Sequence, residues 1–495
     1  MKVSKYLLEE SQFHHPKLIL NDAKRQDEAI AIIDQFLLDR SQVARIQSIF
    51  TDELANGLSN SLERRRGNSL LMVNTFVPAL QSIERETLAG DYISLDIGSS
   101  NFRVLYTKLC PGSNNTKEDH TDQDQFSVKY YEIPIEFRKG SSNKLFNFLA
   151  ECIESFLREI PLCTKTNDTI LPLGFTFSFP MNQLAIDVGQ LKTWTKNYDL
   201  PDAVGQDVAS LLQQSIESRG NPFNVRVVAL LNDSTGTLVK GSYIDSDCAI
   251  GLIMGTGNNA CYLEKVENIE KWQRTQRYNQ VREILINMES GGFGDNGCID
   301  FARTKYDRAV DDESLFPGSF TFEKYIGGHY LGEIFRHLLL DLTETGVIFN
   351  GNVSNQLKIK DSIKSEHLSS IEGDNTSNSV LELIDTLEYN RNKILDDDIA
   401  IIRYACSRIT IRAATLLAAL LSTLVIRMGR KRTVIAVDGS VYRKHPRIHQ
   451  LMTDFINNLV DDHTKQIEII EAEDGSGKGA GIVAALACKL KLYGQ

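Results

Sequence analysis

In the stretch LIMGTGNNACYLEKV, residues 252–266, an apolar strand, a turn of small residues and a second strand follow one another. The same layout occurs in residues 94–109, SLDIGSSNFRVLYTKL. Each stretch predicts a hairpin with almost no bulky side chain at its tip, so that backbone N–H groups can approach a ligand oxygen closely. Either turn alone is more often an ordinary tight turn, but two related tips in one chain predict a cradle for a polyphosphate.

The sequence around these hairpins predicts two α/β lobes. Helical periodicity in residues 27–65 indicates a pair of helices before the first hairpin. The first lobe continues with β-type runs, an amphipathic helix at 145–157 and the strand LPLGFTFSFP at 171–180. The second lobe begins with the strands VRVVALL and AIGLIMG, continues with long helical segments, and ends with the strand TVIAVDGS and the closing helix AGIVAALACKL.

The composition excludes several classes of partner. With 495 residues, of which 42% are hydrophobic, the chain can bury one large or two ordinary cores. Its 54 basic and 65 acidic residues give a net charge of -11, and no long block of Lys or Arg occurs, so a nucleic-acid partner is not expected. The eight cysteines include no CxxC pair, which favours reduced thiols over disulfides or a zinc site.

No membrane-spanning or targeting segment is expected. The longest apolar stretch, residues 413–426, lies between Arg412 and Arg427 and falls short of the ~20 residues that span a bilayer, so it predicts a buried helix. Near the N-terminus, acidic residues stand where a signal peptide would need its apolar core. The expectation is therefore a cytoplasmic protein without membrane insertion.

Two familiar phosphate-binding motifs fail in this chain. Residues 255–260, GTGNNA, fit the dinucleotide pattern GxGxxG/A, but a strand-like stretch follows where that fold needs a helix. Residues 473–481, EDGSGKGAG, resemble a phosphate loop, yet Ala472 replaces its first glycine and Gly479 replaces its magnesium-binding Ser or Thr. This second stretch is either a helix N-terminus that faces an anion or a tight turn.

An aspartate at a strand end has two possible roles. Residues 230–237, LLNDSTGT, place Asn232 and Asp233 directly after the buried strand VRVVALL. Asp233 or Ser234 can cap the following helix, which is the commoner role of such a residue. Side chains at the carboxyl ends of strands in open α/β sheets also face the ligand crevice. Asp233 is therefore a candidate to accept a hydroxyl proton during phosphoryl transfer, with Asn232 beside it to hold a sugar.

Residues 173–198, LGFTFSFPMNQLAIDVGQLKTWTKNY, closely resemble the signature of the hexokinase family, with Tyr198 in place of the usual Leu or Phe. The resemblance covers about residues 66–490, and the group that the chain resembles is the eukaryotic hexokinases and glucokinases of the fungal, single-unit type. It rests on further motifs in the family's order: LDIGSSNFRV, LLNDSTGT, GTGNNACY, INMESGGFGDNG, FEKYIGGHYLGE, VDGSVYRKHP and EDGSGKGA.

The resemblance implies a fold and a reaction. The implied fold is α/β, the two-lobed actin-like ATPase (ribonuclease H-like) fold of sugar kinases, with a cleft between a small and a large lobe. The small lobe would contain residues 85–222 and the closing helix 477–495, and the large lobe residues 10–84 and 223–476. The implied reaction is ATP- and Mg²⁺-dependent phosphorylation of the 6-hydroxyl of glucose or a related hexose, the first step of glycolysis, by a monomer or homodimer.

The resemblance also implies which residues form the site. Asp233 would be the general base, and Lys196 would stabilise charge on the transferred group. The implied sugar contacts are Ser178, Thr195, Lys196, Asn232, Asp233, Asn259, Asn287, Glu289 and Glu323. The implied nucleotide contacts are Asp96, Gly98, Ser99, Ser100, Asn101, Arg103, Gly255, Thr256, Gly257, Gly328, Gly439 and Ser440, with Asp96 reaching Mg²⁺ through water.

Three positions depart from the family pattern. Ser99 stands in place of a second glycine, Asn258 in place of a threonine, and Ser290 in place of a tryptophan after Glu289. Loss of the aromatic at Ser290 would loosen the sugar pocket, so the preferred sugar, glucose or another hexose or a hexosamine, stays open. The alternative to an enzyme is a hexokinase-like sugar sensor or regulator with weak or no catalysis. Retention of the implied base favours the enzyme.

Overall fold

The computed structural model describes residues 5–10, 17–83, 85–98, 100–110, 124–160, 169–195, 197–273, 275–462 and 464–494. The strands are β1 (Val73–Pro78), β2 (Gly90–Ile97), β3 (Asn101–Leu109), β4 (Gln125–Glu132), β5 (Leu171–Phe177), β6 (Met181–Ala185), β7 (Val188–Leu191), β8 (Val225–Leu231), β9 (Cys248–Met254), β10 (Asn258–Lys265), β11 (Glu283–Asn287), β12 (Arg432–Asp438) and β13 (Gln466–Glu471). The α-helices are α1 (Ala23–Ile33), α2 (Arg40–Leu58), α3 (Leu62–Arg66), α4 (Ser142–Glu159), α5 (Val208–Ser218), α6 (Asp233–Ile244), α7 (Lys305–Asp312), α8 (Thr321–Ile326), α9 (Gly328–Glu344), α10 (Asn355–Lys358), α11 (Ser365–Gly373), α12 (Asn378–Thr386), α13 (Asp396–Met428), α14 (Ser440–Lys444), α15 (Ile448–Leu459) and α16 (Gly475–Leu490).

Two sheets with the same strand order form the frame of the molecule. The five-stranded sheet has the order β4-β3-β2-β5-β8, and the six-stranded sheet has the order β11-β10-β9-β12-β13, with β1 added beside β11. In the five-stranded sheet β4, β3 and β2 form an antiparallel meander, and β5 and β8 run parallel to β2. In the six-stranded sheet β11, β10 and β9 form the same meander, and β12 and β13 run parallel to β9. The two predicted hairpins, β2–β3 and β9–β10, are confirmed, and each one begins the same topological unit.

Strand β8 pairs in parallel with β5 in the five-stranded sheet, although it lies beyond residue 222, where the small lobe was expected to end. Six of its seven residues are buried. Such a continuously apolar strand, VRVVALL, is typical of a parallel sheet that is covered on both faces. The lobe boundaries themselves stay a prediction.

Helices α6 and α16 cross between the two sheets. A β-carbon at Gly479 of α16 would lie 2.0 Å from the backbone oxygen of Gly236 of α6, so only glycine allows the two backbones to touch. On its other side, α16 packs against the five-stranded sheet, where a β-carbon at Gly174 of β5 would lie 2.1 Å from Ala480 O. Helix α6 packs on the six-stranded sheet, since a β-carbon at Gly251 of β9 would lie 2.6 Å from Ser234 O.

The longest helix, α13, forms the core of the six-stranded half. Among the described helices it alone is long and apolar enough to cross a membrane, but 94% of its most apolar window is buried inside the protein. The predicted buried helix at 413–426 is therefore confirmed. Arg412 of α13 forms an ion pair with Asp307 of α7, and both side chains are only 1% exposed. Two parallel hydrogen bonds of 2.7 and 2.8 Å join the guanidinium to the carboxylate.

Candidate active site

The carboxyl ends of three parallel strands meet at one edge of the five-stranded sheet. Strand β2 pairs with β5, and β5 pairs with β8. Asp96 is near the end of β2, Ser178 follows β5 and Asn232 follows β8. Ligands of open α/β sheets bind at such ends, so three implied site residues lie along one ligand-facing edge.

Helix α6 begins at this edge, directly after Asn232. Asn232 is the N-cap residue, and its Oδ1 accepts the Ser234 N–H at 2.9 Å. Asp233 is the first helical residue, and its Oδ1 accepts the same N–H at 2.8 Å. The capping residue is thus Asn232, and the expected cap at Asp233 or Ser234 is wrong. The Asp233 carboxylate, which is partly exposed, lies at the helix N-terminus, where the helix dipole favours negative charge.

A network of buried amides joins the strand ends of the two sheets. Nδ2 of Asn259, in β10, donates to Oδ1 of Asn232 at 3.0 Å and to Oδ1 of Asn287 at 2.8 Å. Nδ2 of Asn287, at the end of β11, donates to Oε1 of Glu289 at 2.7 Å. Oδ1 of Asn259 accepts the Ser290 N–H at 3.1 Å, which fixes the direction of the central amide. Four implied sugar contacts are thereby brought together.

Glu323 lies on helix α8, beside the start of β10. Its Oε2 accepts the Asn258 N–H at 3.0 Å. Gly257 faces the same carboxylate, since a β-carbon there would lie 2.4 Å from Oε2. The start of α8 is held by Asp295, whose Oδ1 accepts the Thr321 N–H at 2.8 Å. Glu323 is thus a positioned carboxylate rather than a solvated surface acid.

The tip of the β9–β10 hairpin is surrounded by implied nucleotide residues. The Gly255 N–H donates to Gly257 O at 3.0 Å and closes the tip, while the Gly328 N–H donates to Gly255 O at 2.9 Å. Gly439 has a φ of 126°, and a β-carbon there would lie 2.3 Å from Met254 O. Glycine at this position lets the loop after β12 approach the hairpin closely.

Behind the other hairpin tip, Asp96 forms an ion pair with Arg103, with 2.8 Å between Oδ2 and Nη2. Ser476 of α16 donates a hydrogen bond to the same Oδ2 at 2.8 Å. Asp474 forms a second ion pair with Arg103, with 2.5 Å between Oδ1 and Nη1. Burial alone would lower the pKa of Arg103, but the Asp96 and Asp474 carboxylates outweigh it, so this pKa lies above its usual range.

The signature segment contacts the first hairpin through Tyr198. Its hydroxyl donates to Gly98 O at 3.4 Å, and its N–H donates to Thr195 O at 3.1 Å. Two implied residues, Ser99 and Lys196, lie outside the described residues. The remaining implied nucleotide residues, in or beside the hairpin tips and the loop after β12, are the partly exposed Ser100 and the exposed Asn101, Thr256 and Ser440.

Comparison with known proteins gives one consistent result. Two family models, both described as hexokinase, match residues 28–243 and 249–486. A hexokinase from Schistosoma mansoni complexed with glucose is 32% identical, with a TM-score of 0.82, over 94% of this chain and 100% of that chain. The chain belongs to the hexokinase family. The two-lobed α/β fold expected of a sugar kinase is thereby confirmed.

Curated relatives in the hexokinase family are similarly distant. Hexokinase-1 of Mus musculus is 36% identical over 465 residues, and Hexokinase-2 of Homo sapiens is 35% identical over 469 residues. These alignments cover 93% and 94% of this chain but 45% and 48% of the relatives. The chain therefore spans about half the length of the curated relatives it matches.

Sequence reasoning missed three residues of this hexokinase-family site. Ser234 Oγ donates to Asn232 Oδ1 at 3.0 Å and accepts from Asn259 Nδ2 at 3.2 Å. The others, Asp474 and Ser476, hold Arg103 and Asp96 as described above. The available signal was the glycine-rich stretch EDGSGKGAG, left open as a helix start or a turn. Helix α16 begins within it, so the stretch is a helix start, and Asp474 and Ser476 contact residues of the Asp96 hairpin.

Proposed function

We propose that this chain is an ATP-dependent hexose kinase that phosphorylates the 6-hydroxyl of glucose or a related hexose, the first step of glycolysis. The observation that carries the proposal is the position of Asp233. It directly follows Asn232, whose Oδ1 accepts a hydrogen bond from the Asn259 hub of the amide network. A carboxylate at a helix N-terminus is thus combined with a group of amides and acids suited to a ring of hydroxyls. The glucose complex of the Schistosoma mansoni relative supports this choice of substrate class.

Sugar recognition would use the network and both glutamates. Asn232, Asn259, Asn287, Glu289 and Glu323 offer donors and acceptors to the hydroxyls of a hexose. A ligand that lacks one of those hydroxyls would leave a buried polar group unpaired, which costs about 1–3 kcal/mol. Such a pocket discriminates strongly against molecules with missing hydroxyls.

The residues around the two hairpin tips fit Mg-ATP. Gly98, Gly255 and Gly257 leave the tips free of bulky side chains, so backbone N–H groups can meet phosphate oxygens. Asp96, with its Oδ2 held by Arg103 and Ser476, is a suitable carboxylate for Mg²⁺ reached through water. Gly439, Ser440 and Gly328 would adjoin the adenosine. When bound, Mg-ATP supplies the phosphoryl group and a metal charge that neutralises it.

In the proposed mechanism, Asp233 accepts the proton of the sugar 6-hydroxyl as that oxygen attacks the γ-phosphorus in line. The bond from the γ-phosphorus to its bridging oxygen breaks, and ADP leaves. Lys196 and the hairpin N–H groups stabilise charge on the transferred group. Positioning supplies most of the acceleration, because phosphoryl transfer asks little covalent chemistry of the protein. Water is a competing nucleophile, and closure of the lobes around the sugar would exclude it.

A sugar panel tests this function against a sensor without catalysis. The purified protein is incubated with Mg-ATP and glucose, fructose, mannose, glucosamine or N-acetylglucosamine, while ADP release and sugar binding are measured. We expect ADP release that depends on at least one sugar, with the phosphate on its 6-hydroxyl. Binding of a sugar without ADP release would favour the sensor, and the absence of both would contradict both functions.

A further inference from the structure

The carboxylate of Glu323 contacts both proposed ligand sites. It belongs to the proposed sugar site, yet its Oε2 accepts the N–H of Asn258, which immediately follows the proposed phosphate-binding turn 255–257. A β-carbon at Gly257 would lie 2.4 Å from that oxygen and 3.0 Å from Glu323 Cδ. The turn therefore rests directly on the side chain of Glu323, and only a glycine at position 257 allows this contact.

The backbone after Glu323 contacts the same turn. The Gly327 N–H donates to Glu323 O at 2.6 Å, which ends helix α8. The next two N–H groups then donate to the turn: Gly328 to Gly255 O at 2.9 Å and His329 to Thr256 O at 3.0 Å. Segment 323–329 consequently reaches every residue of the turn, either by hydrogen bonds or by van der Waals contact.

We propose that the contact between Gly257 and Glu323 couples hexose binding to nucleotide binding, with Gly257 as a positioning residue. The inference rests on the proposed function. A sugar hydroxyl that donates to the Glu323 carboxylate restricts the rotation of this side chain. The turn against it is then ordered before the nucleotide arrives, so less conformational entropy is lost when phosphate binds. The coupling is positive, and by linkage the nucleotide tightens sugar binding by the same factor.

Substitution of Gly257 by alanine tests whether this glycine acts through its contact with Glu323 or is needed only to form the turn. The added methyl group would collide with the end of a flexible side chain, so Glu323 would swing away while the backbone stays in place. Gly255→Ala is the matched control in the same turn. Its β-carbon would meet Gly439 Cα and Ser440 N at 3.6 Å, an ordinary contact, and it does not face Glu323.

The measurement is the dissociation constant of Mg-AMPPNP by calorimetry, with and without saturating glucose or N-acetylglucosamine. We expect the sugar to tighten Mg-AMPPNP binding at least about fivefold in the unmodified protein and in Gly255→Ala. In Gly257→Ala the two constants are expected to agree within about twofold. A weaker Mg-AMPPNP affinity in Gly255→Ala does not affect the test, since the coupling is measured by the ratio of the dissociation constants without and with sugar.

A second variant covers the case in which Gly257→Ala does not fold. Glu323→Gln keeps the length of the side chain and an acceptor oxygen but removes the charge, and charge-assisted hydrogen bonds are roughly twice as strong as neutral ones. Its coupling ratio should therefore fall at least about twofold. Unchanged coupling in Gly257→Ala overturns the inference but leaves the proposed function standing. If Gly257→Ala does not fold, unchanged coupling in Glu323→Gln has the same consequence. Failure of the unmodified protein to bind any sugar overturns the inference together with the proposed function.

Discussion

Ser290 Oγ donates a hydrogen bond to Asn258 Oδ1 at 3.4 Å, so two positions that depart from the hexokinase pattern lie against each other. Ser290 is fully buried and Asn258 is 4% exposed. Asn258 Nδ2 donates in turn to Ile253 O at 2.9 Å. Ser290, which replaces the tryptophan of the family pattern, therefore contacts Asn258, which replaces its threonine. The two departures belong to one local rearrangement.

Restoring the family residues one at a time should be costly. Ser290→Trp is expected to lower the free energy of unfolding by about 1–3 kcal/mol, because a large indole would enter a fully buried position beside Asn258. Asn258→Thr removes the donor to Ile253 O and should cost about 1 kcal/mol. The double variant should lose less unfolding free energy than the sum of the losses in the two single variants, by at least about 0.5 kcal/mol. Urea unfolding of the four proteins measures this coupling, and strictly additive values would show that the two sites are independent.

Asp233→Asn tests the proposed base. The amide oxygen can still accept the Ser234 N–H, so the helix start and sugar binding should be retained, while turnover falls by about 10²-fold or more. Calorimetry gives the sugar affinity and ADP release gives the turnover. Asp312→Asn, at the exposed end of α7, is the control and should keep full turnover. Near-normal turnover in Asp233→Asn would refute the role of this carboxylate.

Asn259→Asp places an acceptor where Nδ2 now donates to Asn232 and Asn287. We expect the free energy of unfolding to fall by about 1–3 kcal/mol at neutral pH. Burial and nearby acceptor oxygens would raise the folded-state pKa of the new acid above its unfolded value of about 4. The loss should therefore shrink as pH falls, since the protonated acid regains one donor. Unfolding curves at several pH values measure it, with the exposed Asn279→Asp as control, and a loss independent of pH would contradict the network.

Ser476→Ala removes one hydrogen bond to Asp96 Oδ2. The carboxylate would be less firmly held, so KM for Mg-ATP should rise by about fivefold, as expected for about 1 kcal/mol, while KM for the sugar stays unchanged. Steady-state kinetics with each substrate varied separately provide the measurement. The exposed Ser370→Ala should alter neither constant. Equal increases in KM for Mg-ATP and in KM for the sugar would indicate a general structural defect instead of a role of Ser476 in holding Asp96.

His445 should make stability fall on acidification. Its Nδ1 accepts the Arg447 N–H at 3.3 Å, and burial, followed by the Arg447 charge, lowers its pKa to about 4 from 6.5. The unfolded chain takes up this proton first, so the contribution of the neutral ring is fully present above pH 6.5 and is lost as pH falls toward about 4. His445→Asn keeps an acceptor and cannot be protonated, so its stability should decline less, by up to about 3 kcal/mol. Urea unfolding at neutral pH and near pH 4 decides this, and identical declines would exclude His445 as the cause.

The local parts of the fold were predictable because each depends on a short pattern. The hairpins β2–β3 and β9–β10 and the closing helix follow from apolar periodicity and small-residue turns. Strand β1 and the hairpin β6–β7 were missed, since each is short and gains its stability from distant partners. The pairing of β8 with the five-stranded sheet likewise depends on tertiary packing, which the residues of the strand do not specify.

The site was predictable in its members but not in its connections. The family motifs named Asn232, Asn259 and Asn287, yet only the structure shows that Asn259 is the hub of their hydrogen bonds. The bond between Ser476 and Asp96 joins residues 380 positions apart, and periodicity carries no information about such a contact. Hydrogen-bond partners depend on how separate strands are placed, which a single sequence does not specify.

The crossing of α6 and α16 sets how closely the two halves of the molecule approach each other. Their backbones touch at Gly236 and Gly479, so the two halves cannot come closer together at this point. If the lobes close around the sugar as proposed, this contact would act as the pivot, and the displacement of an atom would grow with its distance from it. Asp233 lies one helical turn before Gly236, so the proposed closure would move Asp233 little and the outer rims of the two halves most.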